Sequence, residues 1–161
     1  MTNPFFDYPE PEGGESTAAE LNFLPHWDED RWSRLLGFTE HRRFLEGDLV
    51  IREGDRDSSV FILTLGSLQI LMPSRGIGKW RMAGTVTAGA VIGEQAFLDG
   101  QPRSATLRAL TDGEMVALSR DAFDLLSQRE PELAMEVLMD LARTLSIRLR
   151  KANDFISGRI K

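Results

Sequence analysis

The chain of 161 residues contains no cysteine and only two histidines, His26 and His41. The missing cysteines exclude disulfides, zinc-thiolate sites and thiol nucleophiles, and two histidines are too few for a histidine-rich metal site. Both histidines lie among charged residues near the start of the chain, so we expect them at the surface. Since no nucleophile–base pair or metal-ligand set stands out either, we predict a protein that is not an enzyme and holds no metal.

Long apolar runs and an excess of positive charge are missing as well. No run approaches the roughly 20 apolar residues that a membrane span needs, and the N-terminus lacks the basic and apolar segments of a signal peptide. We therefore predict a cytoplasmic protein with no membrane partner.

The net charge is −6 and the arginines are scattered, which argues against direct DNA binding, because DNA-binding domains usually carry a basic face. A small anionic ligand is not excluded, since one pocket needs only one or two cations.

The composition suits one globular domain, because 42% of the residues are hydrophobic. Residues 1–20 are rich in proline, glycine and acidic side chains, which predicts a flexible N-terminal arm. We assign residues 21–161 to a single domain. Within it, apolar side chains recur at helical spacing over residues 26–37, and Gly37 offers a stop.

From Arg43 onwards the pattern changes to short apolar runs separated by Gly-Asp turns, with "EGD" occurring twice. Such runs of β-branched and aromatic residues are typical of strands. Residues 73–80 are predicted to be a hairpin loop, and the Asp112-Gly113 dipeptide predicts a second hairpin. Several short strands at this spacing indicate a sandwich or barrel of jelly-roll type.

Two helices are predicted after the strands. The first has Ser119 or Asp121 as N-cap, and the second starts at Pro131, which suits a first helical turn, and runs to about residue 154. Apolar residues of the second helix form a stripe at steps of three or four, namely Leu138, Leu141, Leu145, Leu149 and Ala152. Part of the stripe can pack on the strands, and the rest predicts a homodimer through this helix. The predicted fold class is mainly β with flanking helices: a jelly-roll β-barrel (double-stranded β-helix) with an N-terminal helix and two C-terminal helices.

The segment "VIGEQAFLDGQPRSATLRA", residues 91–109, interrupts the predicted strands. Gly93 permits a turn, and the next residues are long enough for one helical turn, whose free N–H groups can bind an anion. Pro102 ends that turn, and Arg103 matches the paired oxygens of a phosphate. Glu94 is an acceptor suited to sugar hydroxyls, so the segment suits a ligand that carries both a phosphate and a ribose. The alternative is a plain salt bridge between Glu94 and Arg103 over a surface loop, a common contact that contributes little.

The part "IGEQAFLDGQPRSATLRA" resembles the phosphate-binding cassette of the cyclic-nucleotide-binding domain family, which includes the catabolite activator protein, regulatory subunits of protein kinase A and cyclic-nucleotide-gated channels. Members show Gly-Glu, an apolar run, a short insert, and Arg followed by a small residue. The stretches "GDLVIREGDRDSSVFILTLGSLQIL" and "LSRDAFDLL" also resemble the family. The resemblance covers roughly residues 26–154.

The resemblance implies that Glu94 accepts a hydrogen bond from the ribose 2′-hydroxyl and that Arg103 pairs with the cyclic phosphate. Backbone N–H groups near Gln95, Ala96 and Ser104 would complete the phosphate cradle. Ile70 and Val91 would line the base or sugar pocket, although simple core packing is the alternative for both. The full set of ligand-binding residues that we expect is Gly93, Glu94, Gln95, Ala96, Arg103, Ser104, Ala105, Ile70, Val91 and Arg148.

Two positions bear on the base. Arg148 resembles the arginine that covers the purine in some channel-type domains, where it would stack on the base by a cation–π contact; the alternative is a solvated helix arginine. In relatives that prefer cGMP, a hydroxyl at the position of Ser104 can reach the guanine 2-amino group, but cAMP receptors also have a hydroxyl there.

The leading hypothesis is a non-catalytic sensor that needs no cofactor. It binds cAMP, with cGMP as the second choice, and signals by moving its C-terminal helix. A second hypothesis is the sensor part of an activator-family transcription regulator without its DNA-binding domain, since "DFISGRIK" ends the chain near where that domain would begin. A third is a partner-binding domain with an empty pocket, against which the presence of Glu94 and Arg103 argues. The sequence does not identify a downstream protein partner.

Overall fold

The computed structural model of the chain describes residues 22–73 and 80–157. The predicted arm of residues 1–20 and the tip of the predicted hairpin, residues 74–79, lie outside the described residues. The helices are α1 (Glu29–Leu36), α2 (Glu94–Asp99), α3 (Arg120–Arg129) and α4 (Pro131–Ile156). The strands are β1 (Glu40–Phe44), β2 (Leu49–Ile51), β3 (Val60–Leu65), β4 (Ser67–Pro73), β5 (Trp80–Thr87), β6 (Val91–Ile92), β7 (Thr106–Ala109) and β8 (Gly113–Leu118).

The strands form two antiparallel four-stranded sheets, with the orders β1-β8-β3-β6 and β2-β7-β4-β5. β3 is buried on both faces, because Val60 and Ile62 pack with residues of the helices while Phe61 and Leu63 pack with residues of the other sheet. The core therefore has two layers, one between the sheets and one between the first sheet and the helices. The predicted fold class, mainly antiparallel β of jelly-roll type with flanking helices, is confirmed.

The hairpin predicted at Asp112-Gly113 is wrong. The strands on either side of it, β7 and β8, belong to different sheets, so the connection crosses between sheets. Asp112 instead accepts a hydrogen bond from the backbone of Glu46 at 2.8 Å. Gly113 is required by packing, since a Cβ there would lie 2.3 Å from the carbonyl oxygen of Leu65 and 2.4 Å from the Phe44 ring.

Side chains cap the N-termini of two helices that the sequence predicts, α1 and α3. Asp28 accepts from the backbone N–H of Arg31 at the start of α1, and Ser119, rather than Asp121, accepts from Ala122 at the start of α3. None of the described helices has the length and apolar composition required to cross a lipid bilayer.

Helix α4 has two different faces. Leu133, Val137, Leu141 and Thr144 are buried against the rest of the domain. Away from that side, the N-terminal half of α4 exposes Met135, Leu138, Met139 and Ala142. Of the predicted stripe, Leu141 is fully buried and packs in the core that the helices cover, whereas Leu138 and Leu149 are exposed. Leu141 therefore belongs to the part of the stripe that packs on the domain, and it is not available for a dimer contact.

The segment before α1 holds α4 in place. The backbone N–H of Leu24 donates to Asp140 of α4 at 2.7 Å, and Arg143 donates to the carbonyl of Asn22 at 2.7 Å. Asn22 forms a β-bridge with Ala90, just before β6. The middle of α4 is thereby tied to the strand that leads into α2.

Candidate functional site

A cavity of about 640 Å³ lies between the sheet β2-β7-β4-β5, helix α2 and the C-terminal half of α4. Its apolar wall consists of Ile51, Ile70, Met72, Ala83, Ile92, Ala96, Ala105, Leu107, Leu145, Leu149 and Ala152. Its polar side chains are Glu94, Gln95, Arg103, Ser104 and Arg148. A volume of this size suits a small-molecule ligand.

The turn into α2 requires a glycine. Gly93 is the N-cap of α2 and has a left-handed backbone with φ of 78°, which other residues adopt at a cost. A Cβ at this position would lie 2.4 Å from Nη1 of Arg103. Among the described residues no acceptor contacts the N–H groups of Gln95 and Ala96, so both remain able to bind a ligand at the start of the helix.

Arg103 is buried, with 4% of its surface exposed, and is held in a fixed orientation. Nη2 donates to the carboxylate of Asp57 at 2.7 Å and to the carbonyl of Ser59 at 2.6 Å, and Nη1 donates to the carbonyl of Gly93 at 3.0 Å. The guanidinium also lies over the Phe61 ring, 5.3 Å from its centroid. Of its five N–H groups, the described residues bind three, which leaves Nε–H and one Nη1–H for a ligand.

The partner of this arginine, Asp57, remains charged despite its surroundings. Partial burial alone would raise the pKa of Asp57, but hydrogen bonds from Ser59 and from Arg103 outweigh the burial and lower that pKa below its ordinary value. The carboxylate therefore offsets the buried positive charge of Arg103 near neutral pH.

Glu94 does not pair with Arg103, so the structure excludes the alternative of a salt bridge between them over a surface loop. Glu94 is 4% exposed, and its Oε1 accepts from Nη1 of Arg148, which reaches across from α4. Arg148 also donates to the carbonyl of Val91 at 2.7 Å. Among the described residues none binds Oε2 of Glu94, so this oxygen can accept a hydrogen bond from a ligand.

The structure brings together all the predicted binding residues except one. Val91 does not line the cavity: its side chain is completely buried in the core that the helices cover, and only its carbonyl contributes, by holding Arg148. Ile70 does line the cavity. Arg148 binds Glu94 and the carbonyl of Val91, so the structure does not support the alternative of a solvated helix arginine.

The sequence interpretation missed the residues that hold Arg103. Asp57 lies 46 positions before Arg103, and Phe61 lies 42 positions before it. Asp57 lies in the irregular segment between β2 and β3, which also contains Asp55, and nothing in the local sequence pattern distinguishes the two aspartates. Phe61 has the pattern of an ordinary strand residue, so only the folded chain identifies it as a support for the arginine.

A family model described as the cyclic nucleotide-binding domain matches residues 41–130, more than half of the chain. The cGMP-dependent protein kinase egl-4 of Caenorhabditis elegans is 30% identical over 136 residues, which are 84% of this chain and 17% of the kinase. The cyclic AMP receptor protein of Thermus thermophilus is 29% identical over 118 residues, which are 73% of this chain and 52% of that protein. The chain therefore spans well under two thirds of the length of either relative.

Solved structures show the same architecture. A cyclic nucleotide-binding domain from Methylobacillus flagellatus superposes with a TM-score of 0.76 at 24% identity, covering 89% of this chain and 80% of that one. The catabolite activator protein of Thermus thermophilus superposes with a TM-score of 0.73 at 26% identity, covering 82% of this chain and 60% of that one.

Proposed function

Because the chain belongs to the cyclic nucleotide-binding domain family, we propose that it is a non-catalytic sensor that binds cAMP, with cGMP as the second candidate, in the cavity between α2 and α4. One observation supports this above the others. Glu94 and Arg103, each 4% exposed, line one cavity without pairing with each other. A buried carboxylate beside a buried guanidinium matches a ligand that carries hydroxyl donors and an anionic group.

In this proposal Arg103 binds the cyclic phosphate through its remaining N–H groups, together with the N–H groups of Gln95 and Ala96. The free oxygen of Glu94 accepts from the ribose 2′-hydroxyl. Ile70 and the other apolar side chains of the wall contact the base and sugar. We keep cAMP first and cGMP second, as in the sequence analysis. The relatives include both a cyclic AMP receptor protein and a cGMP-dependent protein kinase, so a direct titration has to decide between the two nucleotides.

Titration of the protein with cAMP, cGMP and 5′-AMP, followed by thermal shift and calorimetry, tests the proposal. At 100 times Kd a bound ligand adds about 2.7 kcal/mol of stability, which for a chain of this size raises the melting temperature by about 5–10 °C. We expect this shift with cAMP but not with 5′-AMP at the same concentration, since the open phosphate has an additional charge. Absence of a shift with millimolar cAMP and cGMP would favour a partner-binding domain with an empty pocket.

The signal would pass from the ligand to α4 through Glu94 and Arg148. Glu94 both accepts from the ribose in this proposal and binds Arg148 of α4. When ligand binds to Glu94, it therefore alters a contact that fixes the C-terminal half of α4. The middle of α4 remains tied to the N-terminal segment by Asp140 and Arg143. We therefore expect ligand to move the end of α4 relative to the sheets, and spin-label distances between α4 and β1 would measure that motion.

We also propose a homodimer through the exposed face of α4. Met135, Leu138 and Ala142 are exposed and follow one another at steps of three and four, the spacing at which two helices pack together. Sedimentation tests this with Leu138→Glu, which we expect to dissociate the dimer. Leu125→Glu on α3 is the control, because Leu125 has nearly the same exposure, 40% against 37%, but lies off this face. A wild-type protein that stays monomeric at high concentration would contradict the proposal.

The second candidate is the sensor part of an activator-type transcription regulator. The superposition on the Thermus catabolite activator protein at 26% identity favours it. With a net charge of −6, we do not expect direct DNA binding by this chain, and tight, sequence-dependent binding in a gel-shift assay would overturn that expectation.

A further inference from the structure

The outer face of the sheet β2-β7-β4-β5 is not covered by any described element. The inner face of this sheet packs in the core between the two sheets, and α2 and α4 approach it from that inner side, at the cavity. The core that the helices cover includes residues of β3, β6 and β8 but none of these four strands. The outer face is therefore open over the described part of the chain.

This outer face is apolar and carries a positive charge. Leu71 and Pro73 alternate along β4 with residues that line the cavity, so their side chains lie on the outer face. Their partners on β5 are Met82 and Trp80, which are 62% and 50% exposed. Arg108 of β7 lies on the same face, is exposed, and forms no ion pair with any described residue. Adjacent large apolar side chains with this exposure mark an interaction surface.

The sequence separates the charges of the chain between this region and the arm, residues 1–20. Residues 58–93, which include β4 and β5, contain no aspartate or glutamate, although the chain has a net charge of −6. The arm has the opposite composition, with five acidic residues and no lysine or arginine. It also contains Phe5, Phe6 and Tyr8 close together. An acidic segment with clustered aromatic side chains is complementary to an apolar face that carries an unpaired arginine.

The arm joins the domain close to this face. Asn22 forms a β-bridge with Ala90, just beyond the C-terminal end of β5. The eight residues of β5 span about 27 Å. Phe6 lies 16 positions before Asn22, and an extended chain of that length spans up to about 50 Å. The aromatic residues of the arm can therefore reach Trp80, at the far end of β5.

We propose that the arm docks on the outer face of the sheet β2-β7-β4-β5 of its own chain, with its aromatic side chains against Trp80 and Met82. The exposed apolar residues of α4 are less suitable, because Glu132 and Glu136 on that helix repel an acidic segment. The tether holds the arm at an effective concentration of about 1 mM, so a contact with a Kd of about 0.1 mM keeps about nine arms in ten docked. This proposal does not depend on which ligand the cavity binds.

Trp80 is a specific optical probe of this contact. The chain has three tryptophans, and the other two, Trp27 and Trp32, are 8% and 0% exposed. Because the chain contains no cysteine, Asn3→Cys attaches a single nitroxide label beside the aromatic residues of the arm. A nitroxide quenches tryptophan fluorescence only at close range. We expect the label to remove most of the Trp80 emission, obtained as the difference from a labelled Trp80→Phe protein, and chemical reduction of the label to restore it.

Variants of the face and of the arm test whether this contact is the one proposed. Met82→Glu should release the arm and restore the Trp80 emission, because it removes an apolar contact and adds a negative charge. Leu45→Glu is the matched control, since Leu45 has nearly the same exposure, 65% against 62%, but directly follows β1 of the other sheet; quenching should persist. Phe5→Ser combined with Phe6→Ser should abolish quenching as Met82→Glu does, and melting curves verify that the variants fold.

Several outcomes overturn this inference. They are an unquenched Trp80 in the labelled protein, and equal quenching in Met82→Glu and Leu45→Glu. Quenching that rises with protein concentration would assign the face to the arm of a second copy. Quenching of Trp80 by vesicles of brominated anionic lipid, without quenching by the label, would assign the face to a membrane surface. Either of these last two results also contradicts docking of the arm on its own chain.

Discussion

Replacement of Arg103 by alanine tests most directly whether the cavity holds a cyclic phosphate. The substitution removes the guanidinium, and with it the two N–H groups that the described residues leave unbound. Hydrogen bonds to a charged group are worth about 1.5–3 kcal/mol, which corresponds to a loss of about 10- to 150-fold in affinity for cAMP. The loss should be similar for cGMP, since both ligands carry the same cyclic phosphate.

A matched control is provided by Arg42. Its guanidinium also lies over the ring of Phe61, 5.4 Å from the centroid against 5.3 Å for Arg103. Arg42 does not line the cavity. Arg42→Ala therefore removes a comparable cation–π contact without touching the phosphate position, and we expect its affinity for cAMP to stay within about twofold of the wild type.

The measurement is isothermal titration of cAMP into the wild type, Arg103→Ala and Arg42→Ala, with melting curves to verify folding. Loss of Arg103 also leaves the carbonyls of Ser59 and Gly93 without their donor, at a cost of about 1–3 kcal/mol. Should that variant fail to fold, Arg103→Lys retains the charge without the planar pair of donors and should bind with intermediate affinity. Equal affinity in Arg103→Ala and wild type, or equal losses in Arg103→Ala and Arg42→Ala, would refute the assignment.

The remaining predictions concern the supports of the site. Gly93→Ala places a side chain at a left-handed φ and should cost about 1–3 kcal/mol, seen as a lower melting temperature together with weaker cAMP binding; an unchanged melting curve would contradict the packing described. Arg148→Leu should leave cAMP affinity within about tenfold but abolish the ligand-dependent motion of α4, since it cuts the bonds from α4 to Glu94 and to the carbonyl of Val91; motion that persists would exclude this route. The folded-state pKa of Asp57 is lowered, so its carboxylate stabilises the fold above its unfolded-state pKa of about 3.9 and loses this effect as the pH falls through the folded-state value. The difference in melting temperature between wild type and Asp57→Asn should therefore be largest near pH 7 and shrink toward pH 3; a constant difference would argue against it. Asp140→Asn, which weakens the tie between α4 and the N-terminal segment, should cost about 1.5–3 kcal/mol, and a chemical-denaturation curve that superposes on the wild type would rule this out.

The α2 segment shows how far local sequence determines a site. Gly93, Glu94 and Arg103 could be assigned from the sequence because the requirements of a phosphate and a sugar are met by residues close together in the chain. A left-handed glycine, one helical turn and a proline stop depend on near neighbours, so the pattern predicts them without knowledge of the fold. The short apolar runs separated by Gly-Asp turns likewise predicted the strands of the jelly roll.

Only the tertiary structure decided which partner each charged side chain takes. Arg103 bonds to Asp57, 46 positions away, and Glu94 bonds to Arg148, 54 positions away, whereas the sequence left open a direct pair between Glu94 and Arg103. The tertiary structure also decided the position of Leu141. Its helical spacing from other apolar residues of α4 could not indicate whether its side chain faced the core or the solvent. Periodicity describes one element at a time, while the choice of partner depends on how separate elements are brought together, and that is determined by packing over the whole core.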